Sequence, residues 1–245
     1  MSGHSKWHNI QKTKGAQDAK RAAAFTKIAK EMYVAVKEGG GSADPNYNSR
    51  LATVITKAKA ANMPNDNIKR VLEKAASAGS GDAYDAITYE GYGPAGIAVI
   101  VETMTDNRNR TAGNMRHHFD KYGGKMGANG CVSWNFSKKG VLVIDNEDGD
   151  YEEDDVMMDA MDCGADDFEA EEDCFTIYTQ PDDFNAVADG MSAKGYSFAS
   201  AQIEMVPGEY KKLENPDDIT NMEKMLDIFD DDDDVQNVWH NWDRD

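Results

Sequence analysis

The stretch of sequence that decides the fold class is residues 141–206, VLVIDNEDGDYEEDDVMMDAMDCGADDFEAEEDCFTIYTQPDDFNAVADGMSAKGYSFASAQIEMV. Short β-rich runs alternate here with longer runs that have the apolar spacing of helices. The predicted strands cover 141–144, 167–171, 174–179 and 200–206, and the predicted helices cover 152–163 and 181–194. This βαββαβ order is that of the ferredoxin-like fold, so we expect a ferredoxin-like domain over residues 141–206.

The sequence on both sides of this stretch predicts a second, α/β domain. Before it, β-rich runs, a helix and a half-buried strand are expected at 87–91, 97–103, 107–122 and 132–136. After it come a predicted helix at 217–229 and an apolar, aromatic run at 235–242. Two elements are too few to form a domain alone. We therefore expect residues 81–140 and 207–245 to form one discontinuous domain, with the ferredoxin-like domain inserted in it.

The N-terminal residues 1–80 predict a basic arm and a helical bundle. The first 15 residues lack apolar periodicity. Helices are expected at 17–37, from Asp44-Pro45 to the break at Asn62-Met63-Pro64, and at 65–76, because apolar residues recur there at helical spacing. In the first helix, the lysines lie opposite the apolar face. The whole chain is therefore expected to be an α+β multidomain protein with an N-terminal three-helix bundle.

Charge is distributed very unevenly along the chain, whose formal net charge is -19. Residues 1–80 contain 14 Lys+Arg and 6 Asp+Glu, whereas residues 141–245 contain 5 and 33. A basic head joined to an acidic remainder favours a polyanion as the partner of the head. The alternative is an ordinary lysine-rich bundle on a protein kept in solution by its acids.

Two groups of residues are candidates for contact with nucleic acid. In the head, cations surround an aromatic side chain, a combination that suits a phosphate backbone and an unstacked base. These residues are Lys6, Trp7, His8, Lys12, Lys14, Lys20, Arg21, Lys27 and Lys30. The second group is Arg108 and Arg110, at a predicted strand-to-helix junction whose backbone N–H groups suit a phosphate. The alternatives are that Trp7 packs on the bundle, and that Asp106 or Asn107 caps the helix while the arginines pair with Glu102 or Asp120.

Other chemistry finds little support in the sequence. The glycine-rich residues 123–130 follow a predicted helix, so a helix C-cap and a loop are expected rather than a phosphate-binding loop. The acidic run 230–234 lacks the spacing of a calcium loop and is expected to end a helix in solvent. No catalytic signature is present, so we expect no enzyme activity, no cofactor and no metal. No secretory signal or membrane span is predicted, and three scattered cysteines indicate the cytoplasm.

Six segments of the sequence resemble the YebC family, and together they span nearly the whole chain. They are GHSKW at 3–7, FTKI at 25–28, AKAANMP at 58–64, YEGYGP at 89–94, TDNRNRT at 105–111 and DVQNV at 234–238. The resemblance implies a helical bundle, an α/β domain and a ferredoxin-like domain inserted in it. It also implies a DNA-binding transcriptional regulator, although a mitochondrial relative and some bacterial members act in translation. The chain departs from the family pattern at Ala22–Ala24 and Ala52, where the family has further cations or glycine.

These observations predict a cytoplasmic, non-enzymatic, nucleic-acid-binding regulator. Lysines make up 11 of the 14 cations of the head, which favours contact with phosphates over reading of bases. The first alternative is a ribosome-associated translation factor that binds ribosomal or transfer RNA. The second is a protein-interaction module whose acidic residues 141–245 bind a basic protein partner.

Overall fold

The structure of the chain is a computed structural model. It describes residues 18–77 and 84–244, with side chains from residue 21 onward. The chain forms two compact units. The first unit holds the helices of the head together with residues 138–204, and the second holds the flanking residues up to 137 and from 205 onward. Within the described ranges, no helix has the length and apolarity that crossing a membrane requires.

The head is a bundle of amphipathic helices. Its elements are α1 (Asp18–Glu38), α2 (Ser49–Ala60) and α3 (Asn65–Ser77). Ile28, Met32, Leu51 and Ala58 are buried between them. The second helix begins at Ser49 and not at Asp44-Pro45 as the sequence predicts. The reason is that Asp44 accepts a hydrogen bond from the Asn46 amide (2.9 Å) in a local turn, and Asn48 is the N-cap, accepting from the Leu51 amide (3.0 Å).

The second unit opens with a β-hairpin and a helix. The elements are β1 (Asp85–Tyr92), β2 (Ala98–Thr105), α4 (Arg108–Lys121) and a short β3 (Lys125–Met126). Gly91 and Gly124 are required by close approach, since a Cβ at either position would lie within 2.6 Å of a backbone oxygen. The strand predicted at 132–136 is wrong for its first part, because Ser133–Asn135 form a 3-10 turn.

The segment that decides the fold class forms the predicted βαββαβ unit. It contains β4 (Phe136–Asp145), α5 (Glu153–Asp162), β5 (Asp167–Ala170), β6 (Cys174–Thr179), α6 (Phe184–Ala193) and β7 (Ser200–Pro207). The sheet order β5-β6-β4-β7 is that of the ferredoxin-like fold, with β6 antiparallel to both neighbours. Leu142, Ile177, Phe184 and Val187 are buried between the sheet and the helices. The α+β fold class is therefore confirmed.

The C-terminal elements complete the sheet of the second unit. They are β8 (Lys211–Lys212), α7 (Pro216–Asp230), β9 (Val235–His240) and β10 (Trp242–Asp243). The sheet order is β3-β1-β2-β9, and β9 is antiparallel to β2. A core that includes Val101, Phe119, Met225 and Phe229 joins the sheet to α4 and α7. The last helix and strands thus pack on the segment that precedes the inserted ferredoxin-like unit.

Candidate nucleic-acid interface

Part of the predicted interface lies outside the described residues. Lys6, Trp7, His8, Lys12 and Lys14 precede residue 18, and the side chain of Lys20 is not described although its backbone is helical. Their role in binding therefore stays a prediction. The first candidate whose side chain the structure describes is Arg21, which is exposed in the second turn of α1.

Lys27 and Lys30, farther along α1, do not lie on an open face. Lys27 and Lys30 are half-buried, and each has an interaction partner. Val34 follows Lys30 by four residues and Lys27 by seven, so it shares their side of the helix, and it is buried. The sequence places these lysines opposite the apolar face of α1, and in the structure that side of the helix is partly covered.

Ion pairs inside the bundle neutralise two other cations of the head. The Nζ of Lys57 donates to Glu31 at 2.6 Å, and both side chains are largely buried. Arg50 pairs with Glu38 at the surface. Exposed cations nevertheless remain on all three helices, among them Arg21, Lys37, Lys59, Lys69, Arg70 and Lys74. The bundle thus presents positive charge from several elements and not from one helix face.

Arg108 and Arg110, the second candidate group, are held by carboxylates. The Nε of Arg108 donates to Asp85 at 2.7 Å. A guanidinium nitrogen of Arg110 lies 2.8 Å from carboxylate oxygens of both Asp106 and Asp234. The alternative stated from the sequence is that the arginines pair with Glu102 or Asp120, and neither carboxylate makes these contacts. These ion pairs raise the pKa of both arginines, chiefly through the hydrogen bonds that Arg108 donates to Asp85 and that Arg110 donates to Asp234.

The Asp234 carboxylate fastens the start of α4 to the strand β9. It accepts hydrogen bonds from the hydroxyls of Thr111 (2.8 Å) and Thr105 (3.1 Å) as well as from Arg110. Burial alone would raise the pKa of Asp234, but these three donors outweigh it and hold the pKa below its usual value. We call Thr105, Arg110, Thr111 and Asp234 the Asp234 cluster. The N-terminus of α4 is also capped, since Asn107 accepts from the Arg110 amide at 3.1 Å.

The prediction that the acidic run 230–234 stays in solvent is wrong for two of its members. Asp234 is buried in the cluster just described. Asp232 accepts from Nε2 of His118 at 3.0 Å, and its side chain is mostly buried as well. Spacing along one segment cannot reveal this, because Thr105, Thr111 and His118, which donate to these carboxylates, are more than 100 residues away in sequence. The TDNRNRT segment (105–111) and the DVQNV segment (234–238) therefore contact each other in the folded protein.

A second buried carboxylate orders the glycine-rich loop. Glu90 of β1 accepts hydrogen bonds from the backbone amides of Gly130 (2.8 Å), Val132 (3.0 Å) and Ser133 (2.9 Å). Burial would raise the pKa of Glu90, but these amides lower it to a greater total extent, and the pKa lies below its usual value. We call residues 127–135 the Glu90 loop. The sequence predicts a loop only for the first part of this segment, up to residue 130, and gives no sign of the carboxylate that holds it.

Two exposed aromatic side chains donate hydrogen bonds to the Glu90 loop, Trp134 from within it and Tyr92 from the end of β1, and the sequence interpretation missed both. The Tyr92 hydroxyl and the indole Nε1 of Trp134 donate to the same acceptor, the carbonyl oxygen of Cys131, at 2.9 and 3.0 Å. Trp134 is 73% exposed. The alternating pattern of residues 132–136 instead predicts a half-buried strand.

Comparisons with known proteins agree with this fold and these segments. Residues 5–78 match the family model described as the TACO1/YebC protein N-terminal domain, and residues 84–242 match the TACO1/YebC second and third domain. This chain belongs to the TACO1/YebC family.

Its relatives cover the whole chain. A probable transcriptional regulatory protein of Clostridium botulinum is 55% identical over 98% of this chain and 96% of its own. One from Acetivibrio thermocellus is 52% identical over 99% of each chain. The crystal structure of a conserved hypothetical protein from Aquifex aeolicus covers 92% of this chain and 91% of its own, with a TM-score of 0.81 at 36% identity.

Proposed function

We propose that this protein is a nucleic-acid-binding regulator of transcription that binds DNA through its head, acts in the cytoplasm, and carries out no catalysis and uses no cofactor. The names of the relatives support a regulatory role, since they are called probable transcriptional regulatory proteins. The binding surface that we propose consists of the N-terminal arm and the exposed cations of the bundle.

The observation that carries this proposal is the separation of charge between the head and the rest of the chain. Residues 1–17 contain three lysines and no acidic residue. Residues 81–245 contain 12 Lys+Arg and 39 Asp+Glu. A polyanion is attracted by the head and repelled by the remainder, and at physiological ionic strength each effect extends about 8 Å from the surface. The head is therefore the part of the chain where a phosphate backbone is attracted most strongly.

Arg108 and Arg110 contribute less to this surface than the sequence suggests. Their guanidinium groups are already paired with Asp85, Asp106 and Asp234. A phosphate would have to compete with these carboxylates, and the backbone amide of Arg110 is taken up by the cap. We assign the two arginines to the folding of the second unit.

Contact through lysines implies modest sequence specificity. Ammonium groups bind phosphates as point charges, whereas bidentate reading of guanine is mainly the work of arginine. A competition assay at physiological salt tests this, with promoter DNA against random DNA of the same length. We expect a ratio of affinities below ~10³, the lower end for specific DNA-binding proteins. A ratio of ~10⁴ or more for one promoter would contradict binding through phosphates.

The alternative of a translation factor differs in its target and not in its charge. Crosslinking in living cells, followed by identification of the attached nucleic acid, separates the two. Recovery of promoter DNA supports the proposal. Recovery of ribosomal or transfer RNA alone, together with cosedimentation with ribosomes, would replace it with the translation factor.

A second candidate function, binding of a basic protein segment, rests on the helix α5. Met157, Met158 and Met161 are exposed on one side of this helix, and acidic residues flank them. Flexible methionines beside acids suit a basic amphipathic helix, as at other adaptable binding surfaces. A synthetic Lys/Leu amphipathic helix should bind more tightly than a peptide of equal charge without leucine. Equal binding of the two peptides, or no loss of binding in Met158→Ala, would rule this surface out.

A further inference from the structure

The second unit carries a patch of exposed aromatic side chains. In the described part of this unit, the large apolar side chains that are exposed are Tyr92 (40%), Trp134 (73%) and Tyr210 (42%). None of them is aliphatic. We call these three residues the aromatic patch. Large exposed aromatic side chains grouped in this way mark binding sites more often than single exposed apolar residues do.

The rings of Tyr92 and Trp134 are fixed and not merely exposed. Their hydroxyl and indole N–H groups donate to the Cys131 carbonyl at 2.9 and 3.0 Å, which places the polar edges of the two rings side by side. The Glu90 carboxylate holds the backbone on both sides of Cys131 through the amides of Gly130 and Val132. A ligand that stacks on these rings therefore loses little side-chain entropy of the protein, because the rings are already ordered.

Tyr210 belongs to the same region because Asn135 fastens the chain before it. The Gly208 amide donates to the Asn135 carbonyl (2.7 Å), and the Glu209 amide donates to the Asn135 side chain (3.0 Å). The Asn135 amide group in turn donates to the Glu209 carbonyl at 3.0 Å. Trp134 precedes Asn135 and Tyr210 follows Glu209 in the sequence. The two aromatic residues are therefore neighbours of residues that are hydrogen-bonded to each other.

The charges at the patch favour a nucleic acid over a protein. Residues 121–137 include Lys121 and Lys125 and no acidic residue. The acids beside the patch are Glu90, whose carboxylate is taken up by backbone amides, and the exposed Glu209. The exposed Lys125 stands opposite Tyr92 in the pairing of β1 with β3. Single-stranded nucleic acids are held by aromatic rings beside cations, which is the combination that Tyr92 and Lys125 present.

We propose that the aromatic patch is a stacking platform for an unpaired nucleobase of single-stranded DNA or RNA, with Lys125 near the adjoining phosphate. This inference rests on the proposed function and adds to it a second contact, which is specific for unpaired bases. A duplex keeps its bases stacked inside and offers no free face to Trp134. The platform therefore favours strands that are open, looped or frayed.

Fluorescence anisotropy with labelled 12-nucleotide probes tests the proposal. The probes are oligo-dT, oligo-U and a blunt duplex of equal length, and the proteins are the full chain and its variants Trp134→Ala, Trp134→Phe and Ser192→Ala. We expect Trp134→Ala to bind both single strands about tenfold more weakly, the usual effect of losing one stacked base, and to bind the duplex unchanged. Trp134→Phe keeps a ring and should recover most of the affinity. Ser192→Ala changes an exposed, uncharged side chain in the first unit and should bind like the unaltered chain.

The outcomes separate this inference from the proposed function. If the unaltered chain binds the duplex and Trp134→Ala binds single strands equally well, the platform is wrong and the proposed function stands. If Trp134→Ala weakens duplex and single strands alike, the patch is a general contact and base stacking is wrong. If the unaltered chain binds none of the probes at low salt, both proposals are wrong. Melting temperatures check folding, and Trp134→Ala should melt within a few degrees of the unaltered chain because its ring is mostly exposed.

Discussion

The Asp234 cluster should be a major source of stability for the second unit. In Asp234→Ala, the hydroxyls of Thr105 and Thr111 lose an ionised acceptor, and both threonines are fully buried. A hydrogen bond to a charged group contributes about 1.5–3 kcal/mol. The two hydroxyls still contact each other at 2.7 Å, which limits the loss.

Arg110 contributes less to the stability of the cluster than its short distance to Asp234 (2.8 Å) suggests. Its side chain is 48% exposed and keeps Asp106 as a partner, so solvent screening makes this ion pair a minor contribution to stability. Together the contacts predict that Asp234→Ala lowers the free energy of unfolding by about 3 kcal/mol. Asp234→Asn keeps an acceptor but loses the charge, and should cost about 1 kcal/mol.

Urea unfolding at pH 7, followed by tryptophan fluorescence, measures this effect, since Trp239 and Trp242 lie on the strands that follow Asp234. Asp231→Ala is the matched control, because Asp231 is exposed in the same acidic run. It should change stability by less than about 0.5 kcal/mol. If Asp234→Ala is as stable as Asp231→Ala, the Asp234 cluster does not stabilise the second unit, and the assignment of Arg110 to an ion pair with Asp234 is wrong.

Three further predictions concern the Glu90 loop, pH and the arm. Glu90→Gln replaces the carboxylate that accepts from three backbone N–H groups with a side-chain amide. The backbone amides of Gly130, Val132 and Ser133 should therefore exchange hydrogen faster, and unchanged exchange would contradict the assignment of Glu90 as their acceptor. Burial, with a smaller effect of Arg244, lowers the pKa of His240 to about 4, and its Nδ1 accepts from the Trp242 amide. The folded state therefore resists protonation of His240, and the free energy of unfolding should fall by about 1.4 kcal/mol per pH unit as pH drops from about 6.5 toward 4. His240→Asn should remove this slope, and an identical pH profile would refute it. Deletion of residues 2–15 should weaken DNA binding with little change in melting temperature, because termini without apolar periodicity add little to a core, and an equal loss of both would make the arm structural.

Local patterns were sufficient to predict the fold class. The βαββαβ order follows from runs such as VLVI at 141–144 and CFTIYT at 174–179. Their apolar, β-branched and aromatic composition is enough to predict buried strands without knowing which distant residues they contact. Even so, β4 begins at Phe136, five residues before the predicted strand. The residues FSKKG at 136–140 contain two lysines and a glycine, so they have the composition of a turn. They are part of β4 because of the tertiary structure and not because of their own composition.

The candidate site was less accessible from sequence, because its contacts join distant segments. Asp234 looks like one acid among five, and only the fold brings Thr105, Arg110 and Thr111 to it. Trp134 has the alternation of a strand, but the Glu90 carboxylate bends its backbone into a turn and leaves the ring exposed. Val34 shows the same effect on α1, where a buried valine shares the side of the helix that was assigned to lysines.

The salt dependence of binding tests the central proposal most directly. The chain and a variant with Lys6, Lys12 and Lys14 replaced by Gln would be titrated onto one DNA duplex at several salt concentrations. Each phosphate contact contributes about 0.9 to the slope of log K against log salt for duplex DNA, so loss of three contacts should reduce the slope by about 2.7. We predict this reduction, together with an unchanged melting temperature. Equal slopes for the two proteins would contradict the proposal that the arm holds the phosphate backbone.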